Sequence, residues 1–263
     1  MTTDKQTQKS GWNVNQYEKF KNERTQPFID LLTLVQPKND MRILDLGCGT
    51  GELTKMAHER LKARETVGID SSESMLAKSK QFESDSLHFL QSDINRFAIE
   101  GPFDLILSNA ALQWIPEHEK LFSFLTSLLS EHGQLAIQMP ANHDQPAHQI
   151  AFEMAEQSPF KEELKDFRFL TSMLPIEKYA ILLYKLGFCE QDVYQKAYPH
   201  VLATRDEVTE WVKGSLLTVY KERLSNETYA KFLVQYKMEI AARIPNEAPL
   251  FYPFKRTFVW GRL

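Results

Sequence analysis

Three glycines and an aspartate lie within seven residues near the start of the chain, in the stretch DLGCGTG at 45–51. Gly47, Gly49 and Gly51 would let the backbone turn tightly and let a ligand approach the main chain without meeting a Cβ atom. A helical pattern begins directly after them, at 52–61. The N-terminus of a helix offers free N–H groups and a partial positive charge. Such a turn, between a buried strand and a helix, is typical of a nucleotide site.

Two nucleotide cofactors fit such a turn, and the glycine spacing separates them. Dinucleotide sites use G-x-G-x-x-G, in which the helix N-terminus faces a pyrophosphate. Here the third glycine comes one position early. Asp45 precedes the turn, where its carboxylate would repel a pyrophosphate and attract an ammonium group. These features favour S-adenosylmethionine, which carries an ammonium group and no phosphate, over NAD.

Acidic residues follow the next two strand patterns. Asp70 ends the second one about twenty residues past the turn, where a carboxylate can accept hydrogen bonds from both ribose hydroxyls. Its alternative role is to cap the helix that begins at Ser71. Asp93 suits the exocyclic amine of an adenine, and Ile94 would cover the ring. The predicted cofactor contacts are therefore Asp45, Gly47, Gly49, Gly51, Asp70, Ser71, Met75, Asp93, Ile94 and Asn109.

The stretch SNAALQWIPEH at 108–118 follows the fourth strand pattern. We expect Asn109 to lie beneath the sulfonium end of the cofactor, and Gln113 and Trp114 to lie beside the transferable methyl group. An aromatic ring can contact a sulfonium or a face of the substrate. The alternatives are that Trp114 packs at the edge of the sheet and that Met75 belongs to the core.

Alternating strand and helix patterns must position these residues. Short apolar runs predict strands at 41–46, 66–70, 87–91, 103–109 and 134–139, with helical patterns between them. Such alternation predicts an α/β fold with a doubly wound, mostly parallel sheet, in which ligands bind at the carboxyl ends of the strands. Further along, the patterns predict a helix at 176–188, a strand at 189–202, two helices within 205–243 and a final strand at 255–263.

The predicted domain organisation is simple. Residues 1–11 are polar and read as a disordered tail, and 12–263 read as a single domain. After Met139 the strand–helix rhythm breaks. We expect the N-terminal helical pattern and the irregular insertions to form a helical cap over the sheet, from 12–36, 140–175 and 203–250.

Composition limits the binding partners and the cellular compartment that are expected for this protein. The 263 residues are 43% hydrophobic and 25% charged, and the net charge of −4 argues against a nucleic-acid or anionic-membrane partner. Cys48 and Cys189 make no disulfide framework and fit a reducing cytosol. We interpret Cys48 as a small packing residue. The polar N-terminus resembles no signal peptide, and no apolar run is long enough to span a bilayer. A cytoplasmic protein is expected.

As a set, the glycine turn and the polar residues at successive strand ends resemble the class I S-adenosylmethionine-dependent methyltransferases. The resemblance implies a seven-stranded sheet whose last strand is antiparallel. Four longer stretches, at 12–32, 108–122, 135–148 and 253–262, resemble the trans-aconitate methyltransferase family. The most specific parts are W-N-x-x-x-Y-x-x-F-x-x-E-R, N-A-x-L-Q-W and Q-M-P-x-N. That family implies a helical cap and monomethyl esterification of a tricarboxylate such as trans-aconitate.

Carboxylate methylation asks little of an enzyme in acid–base chemistry. A carboxyl group has a pKa near 4, so the nucleophile is already ionised at neutral pH and needs no general base. Holding oxygen, methyl carbon and sulfur in line can supply about 7–11 kcal/mol. His118, His143, His148 and His200 could bind anions when protonated, but we interpret them as ordinary polar residues, and their spacing makes no convincing zinc site. We therefore predict no metal.

An acid with several carboxylates needs anchors. Arg24 is the first candidate, since helical spacing places it near Tyr17 and an arginine can bind a carboxylate with two hydrogen bonds. Its alternative is an exposed arginine paired with a nearby glutamate. Arg256, beside apolar strand residues, is the second candidate. The Tyr17 hydroxyl would point at the methyl group or the substrate, with a core tyrosine as the alternative.

Three other functions stay open at this point. A malonyl-carrier-protein methyltransferase would share the carboxylate chemistry but would need a basic docking surface, and the sequence shows no basic cluster. A binding module could hold S-adenosylmethionine without turnover. A dehydrogenase fits least well because of the glycine spacing. Differences from the family at 156–175 and 244–255 leave the exact acid open, and the oligomeric state is open too.

Overall fold

Seven strands and the helices between them make up most of the computed structural model, which describes residues 21–165, 167 and 172–263, with side chains from Thr25 onward. The strands are β1 (Arg42–Leu46), β2 (Glu65–Asp70), β3 (Leu87–Gln91), β4 (Phe103–Asn109), β5 (Leu129–Pro140), β6 (Glu190–Leu202) and β7 (Leu250–Arg262). The helices are α1 (Lys21–Leu34), α2 (Glu52–Leu61), α3 (Glu73–Ser79), α4 (His118–Ser127), α5 (Pro146–Ala155), α6 (Phe160–Leu164), α7 (Ile176–Lys185), α8 (Asp206–Lys213), α9 (Leu216–Lys221) and α10 (Asn226–Arg243).

The strands form one sheet in the order β3-β2-β1-β4-β5-β7-β6. The pairs from β3 to β5 are parallel, and β7 runs antiparallel to β5. This confirms the predicted doubly wound, mostly parallel sheet of seven strands. The chain order reverses between β1 and β4, which is where ligands bind in sheets of this kind.

Both faces of the sheet are buried, which explains why its central strands read as apolar runs. On one face, Leu105 and Leu107 of β4 pack with Phe28 and Leu31 of α1. On the other face, Ile106 belongs to a second cluster that includes α4 and α7 side chains. Successive strand residues alternate between the faces.

Two strands begin more than one residue away from the predicted start. Strand β5 begins at Leu129, and α4 ends at Ser127, because the chain already pairs with Phe103 before the register shifts to Gln134. A Cβ on Gly133 would lie 2.8 Å from the Ser130 carbonyl oxygen, so only a glycine fits at this close approach within the strand. Strand β7 begins at Leu250, five residues before the predicted start at 255.

Two compact units divide the described chain. The sheet unit contains 22–142, 172–198 and 253–263, and the second unit contains 143–165, 167 and 199–252. The division assigns 22–36 to the sheet unit, and the apolar side of α1 packs in the sheet core. The expected single domain stays a prediction. The cap stays a prediction, and the predicted tail at 1–11 lies outside the described residues.

The second unit has an aromatic core of its own. The Phe160 and Phe232 rings meet edge to face with centroids 4.9 Å apart, and Tyr220 stacks on Phe232 at 5.0 Å. The Tyr236 hydroxyl donates to the Ala147 carbonyl at 2.7 Å, which ties α10 to α5. The insertion at 140–175, expected to be irregular, contains the helices α5 and α6, and 205–243 contains three helices where two were predicted. In neither unit does a described helix have the length and apolarity that crossing a membrane requires.

Candidate functional site

The glycine turn connects β1 to α2 and is held against the end of β2. The backbone N–H groups of Gly47 and Cys48 both donate to the Ile69 carbonyl, at 2.8 and 3.0 Å. The φ angles of Gly47, Gly49 and Gly51 are +76°, +55° and +80°. All three lie in the left-handed region, which non-glycine residues rarely adopt.

Two of the three glycines of this turn exclude a side chain because other parts of the protein lie too close to them. A Cβ on Gly47 would lie 2.3 Å from the Ala111 Cβ, and one on Gly51 would lie 2.8 Å from the Phe89 ring. A Cβ on Gly49 would have no described atom within 4 Å. Gly47 and Gly51 therefore serve packing, whereas Gly49 is the glycine that faces open space. The sequence suggested ligand approach at all three.

Asp45, at the end of β1, is 3% exposed. Its Oδ2 accepts a hydrogen bond from the Thr54 hydroxyl of α2 at 2.6 Å. Burial raises the pKa of Asp45 to about 7; the Thr54 bond opposes the rise and the charge of Asp70 adds to it. The carboxyl group thus titrates near neutral pH, and a cation beside it would favour its ionised form.

Asp70 ties the glycine turn to β2 and α3. Its Oδ2 accepts from the Gly49 N–H at 2.9 Å, and its Oδ1 accepts from the Ser72 N–H at 2.8 Å. Burial raises the pKa of Asp70, although the N–H groups of Ser72, Gly49 and Ser71 oppose that rise. The cap of α3 is Ser72, whose hydroxyl accepts from the Met75 N–H at 3.4 Å. Each carboxylate oxygen of Asp70 keeps acceptor capacity for a further donor.

The residues after β3 lie close to the same turn. Ile94 is 9% exposed, and its Cδ1 lies 3.9 Å from where a Cβ on Gly47 would stand. Asp93 is exposed, and its Oδ1 accepts from the backbone and side-chain nitrogens of Asn95 at 2.8 and 2.9 Å. The other carboxylate oxygen of Asp93, Oδ2, accepts no hydrogen bond from the described residues. Met75 is buried on α3.

Amide side chains gather at the carboxyl end of β4. The Oδ1 of Asn109 is buried and has no hydrogen-bond partner among the described residues. Gln113 donates its Nε2 to the Ala110 carbonyl at 2.8 Å, while its buried Oε1 has no partner in the described chain. Gln113 and Trp114 belong to a short 3₁₀ turn, Leu112–Trp114, and Trp114 is 36% exposed.

A buried histidine holds this turn in place. The Nε2 of His118 lies 2.9 Å from the Leu112 carbonyl oxygen, and its Nδ1 lies 2.5 Å from the Tyr179 hydroxyl. Burial lowers the pKa of His118 and raises that of Tyr179. Both ring nitrogens are therefore engaged with neutral partners, and His118 positions the turn that carries Gln113 and Trp114.

Sequence reasoning missed Gln138 of β5 as a site candidate. It is 0% exposed, and neither atom of its amide has a hydrogen-bond partner among the described residues. Its strand partner in β4 is Asn109, and its partner in β7 is Phe258. A glutamine inside an apolar strand run was the available signal.

The structure places Arg256 on β7, with 5% of its surface exposed. Its guanidinium carbon lies 5.1 Å from the centroid of the Phe254 ring. Arg24 lies in α1, but its side chain is outside the described part, and Tyr17 is outside the described residues altogether. These three anchors stay predictions. Within the described ranges, no cluster of three or more His, Cys, Asp or Glu side chains could hold a metal ion.

Comparisons with known proteins identify relatives of the chain among methyltransferases. A family model described as a methyltransferase domain matches residues 37–199. The chain is 39% identical to a trans-aconitate 2-methyltransferase of Deinococcus radiodurans, covering 93% of this chain and 95% of the relative. It is 34% identical to the Escherichia coli O1:K1 / APEC protein of the same name, covering 96% and 98%.

Solved structures share the fold at low sequence identity. The YcgJ protein of Bacillus subtilis has a TM-score of 0.61 at 12% identity and covers 90% of this chain and 98% of its own. A phosphoethanolamine N-methyltransferase 2 of Haemonchus contortus, solved with S-adenosyl-L-methionine, has a TM-score of 0.54 at 18% identity, with coverages of 90% and 52%.

Proposed function

The chain belongs to the class I S-adenosylmethionine-dependent methyltransferase family, and from that premise we propose that it esterifies one carboxylate of a small polycarboxylic acid. The first candidate acid is trans-aconitate, because relatives that match over nearly their whole length carry that activity in their names. The product would be a monomethyl ester.

The residues at the glycine turn fit the cofactor. A Cβ on Gly49 would find open space, a buried carboxylate lies at Asp45, and Asp70 keeps acceptor capacity. When bound, S-adenosylmethionine supplies a methyl group on a positively charged sulfur. In the proposal, Asp45 attracts the ammonium group, Asp70 accepts from the ribose hydroxyls, and Asp93 with Ile94 holds the adenine.

The observation that carries the choice of a carboxylate acceptor is the chemistry of the loop after β4. Residues 108–116, SNAALQWIP, contain no ionisable side chain. The neighbouring His118 has both ring nitrogens engaged, by Leu112 and Tyr179. A phenol or amine acceptor would call for a general base at this place, whereas a carboxylate is already ionised at neutral pH.

Orientation is then the main contribution of the protein. The side-chain amide oxygens of Asn109 and Gln113 are buried and have no partners in the described chain. They can accept hydrogen bonds from polarised C–H groups or from N–H groups of the ligands near the reacting centre. Trp114 offers an aromatic face to a sulfonium. Holding the acid in line with the methyl group can supply about 7–11 kcal/mol of the barrier reduction.

A methyl-transfer assay with a panel of acids tests the proposal. The panel contains trans-aconitate, cis-aconitate, citrate, isocitrate, itaconate and malonyl carrier protein, with ester formation followed by mass spectrometry. We expect transfer to a free polycarboxylate. Methyl transfer to malonyl carrier protein alone would show that the substrate is a carrier-bound acid and not a free one. Binding of S-adenosylmethionine without transfer to any acceptor would indicate a binding module.

A further inference from the structure

Two glutamines of β5, Gln134 and Gln138, lie on the same face of the sheet, because they are four residues apart in a regular strand. Both are buried, with 3% and 0% of their surface exposed. They differ only in their surroundings and in their position along the strand. Gln134 lies towards the start of the sheet pairing with β7, and Gln138 lies at the carboxyl end.

The amide of Gln134 is fully used. Its Oε1 accepts from the Gln36 N–H at 2.9 Å and from the Trp260 indole N–H at 3.1 Å. Its Nε2 donates to the Gln36 carbonyl at 2.7 Å. This glutamine joins the end of α1 to β5 and β7. Its role is structural.

The amide of Gln138 has no hydrogen-bond partner within the described ranges, at either atom. Burying an amide without partners destabilises a fold, so native proteins rarely keep one unless something else binds it. Its neighbours in the sheet are polar. Asn109 is the residue directly opposite on β4, and neighbouring strands lie about 4.8 Å apart. The Asn109 Oδ1 is likewise buried and has no partner among the described residues.

A buried cation lies on the other side of Gln138. Phe258 of β7 is opposite Gln138, and Arg256 is opposite Pro140. Arg256 is thus the diagonal neighbour of Gln138 on the same face, at about 7–8 Å between Cα atoms, within reach of two long side chains. An amide donor beside a buried guanidinium suits a carboxylate.

The position of this pair separates it from the cofactor residues. Asp45 and Asp70 lie at the carboxyl ends of β1 and β2, and Ile94 follows β3, all on one side of β4 in the strand order. Gln138 and Arg256 lie on β5 and β7, on the other side. Asn109, at the end of β4, is the boundary between the two groups. In the proposal, the methyl group is transferred near Asn109, from a cofactor on the β1 side of β4 to an acid on the β5 side.

We propose that Gln138 is a substrate-binding residue that, together with Arg256, holds a carboxylate of the acid that is not methylated. The inference rests on the proposed function. In the transfer, an oxygen of another carboxylate forms a bond to the methyl carbon while the sulfur–carbon bond breaks and its electron pair stays on sulfur. A guanidinium and an amide donor on the reacting carboxylate would stabilise the charge that the reaction removes, which lowers its reactivity. They therefore suit a carboxylate that keeps its charge.

The experiment compares Gln138→Leu with Gln134→Leu in the full-length protein. Calorimetry measures trans-aconitate binding in the presence of S-adenosylhomocysteine, and S-adenosylhomocysteine binding alone. We expect Gln138→Leu to weaken acid binding about tenfold or more, the loss of one hydrogen bond to a charged group, with unchanged cofactor-product affinity and no loss of thermal stability. Gln134→Leu should lower the melting temperature and leave acid affinity unchanged in the folded protein.

Kinetics separate this inference from the proposed function. If the wild-type protein methylates no acid in the panel, the proposed function fails. If it methylates trans-aconitate and Gln138→Leu has the wild-type KM and acid affinity, the role of Gln138 is wrong. A fall in S-adenosylhomocysteine affinity would instead assign Gln138 to the cofactor site. Gln138→Glu is the second variant, should Gln138→Leu fail to fold: a carboxylate there should repel the acid, and unchanged affinity would overturn the inference.

Discussion

Polar side chains at the amino and carboxyl ends of the parallel strands differ in whether the protein itself supplies their hydrogen-bond partners. At the amino end, Asp104 of β4 accepts from the Arg42 N–H and the Ser130 hydroxyl, both at 2.8 Å, and pairs with Lys38 at 2.5 Å. At the carboxyl end, Asn109 and Gln138 retain buried atoms without partners in the described chain. At the amino end the Asp104 carboxylate bonds within the protein, whereas the unpaired amide atoms at the carboxyl end are, in the proposal, the ones that bind ligands.

The largest expected effect comes from comparing two aspartates, one from each end. Asp70→Ala removes the carboxylate that holds the Gly49 N–H and, in the proposal, both ribose hydroxyls. We expect S-adenosylmethionine affinity to fall by more than about 100-fold, or roughly 3 kcal/mol. Asp104→Ala is the matched control, expected to lower stability without changing the affinity of the folded protein. Calorimetry showing undiminished affinity in Asp70→Ala would contradict the ribose contact.

The glycines of the turn provide the second test. Gly51→Ala combines a left-handed φ with a contact to the Phe89 ring, so we expect a loss of about 2–3 kcal/mol in the free energy of unfolding. Gly49→Ala has open space and should lose about 1 kcal/mol from backbone strain alone. Its Cβ, however, should weaken cofactor binding. Urea denaturation and calorimetry measure the two effects, and equal stability losses would argue against the assignment of Gly51 to packing.

Two arginines of β7 sharpen the comparison further. Arg256 lies opposite Pro140 at the carboxyl end, and Arg262 lies opposite Gln134 at the other end, where it pairs with Glu190. We expect Arg256→Met to raise the KM for the acid about thirtyfold, or about 2 kcal/mol, with little change in cofactor affinity. Arg262→Met should leave KM unchanged and cost about 0–1 kcal/mol of stability, as for other exposed ion pairs. Equal KM values in the two variants would remove Arg256 as an anchor.

The smallest expected effect concerns pH. Because the pKa of Asp45 is raised to about 7, its carboxyl group is mostly protonated at pH 6 and mostly ionised at pH 8. If Asp45 attracts the ammonium group, S-adenosylmethionine affinity should rise several-fold over that range. Asp45→Asn should flatten the profile, and a slope that persists in this variant would point to another group.

Protein stability should depend on pH in the opposite sense. The folded-state pKa of Asp45 lies above its unfolded value, so the native state binds more protons between pH 4 and 7. The contribution of Asp45 to stability is therefore lost as pH rises through about 7. Thermal denaturation of the ligand-free protein at pH 5 and pH 8, with Asp45→Asn as the control, measures this term.

Elements with a strong local pattern were predictable from the sequence. Strand β4 begins and ends where its apolar run does, at Phe103 and Asn109, and α2 spans Glu52–Leu61 as its periodicity predicts. The start of β5 was not predictable, because Leu129 joins the sheet by pairing with Phe103, a contact that no local pattern encodes. The same limit applies to the division into two units, which depends on where the apolar side of α1 packs.

The sequence by itself determined the glycine turn, the aspartates at successive strand ends and the preference for a cofactor without phosphate, since these depend on residue types at short spacing. Only the tertiary structure decided that, of the three glycines of the turn, Gly49 faces open space, and that Gln138, unlike Gln134, is left without a partner in the described chain. The reason is physical. Gln134 is satisfied by Gln36 and Trp260, which are 98 and 126 residues away, and hydrogen-bond satisfaction over such separations exists only after the chain has folded.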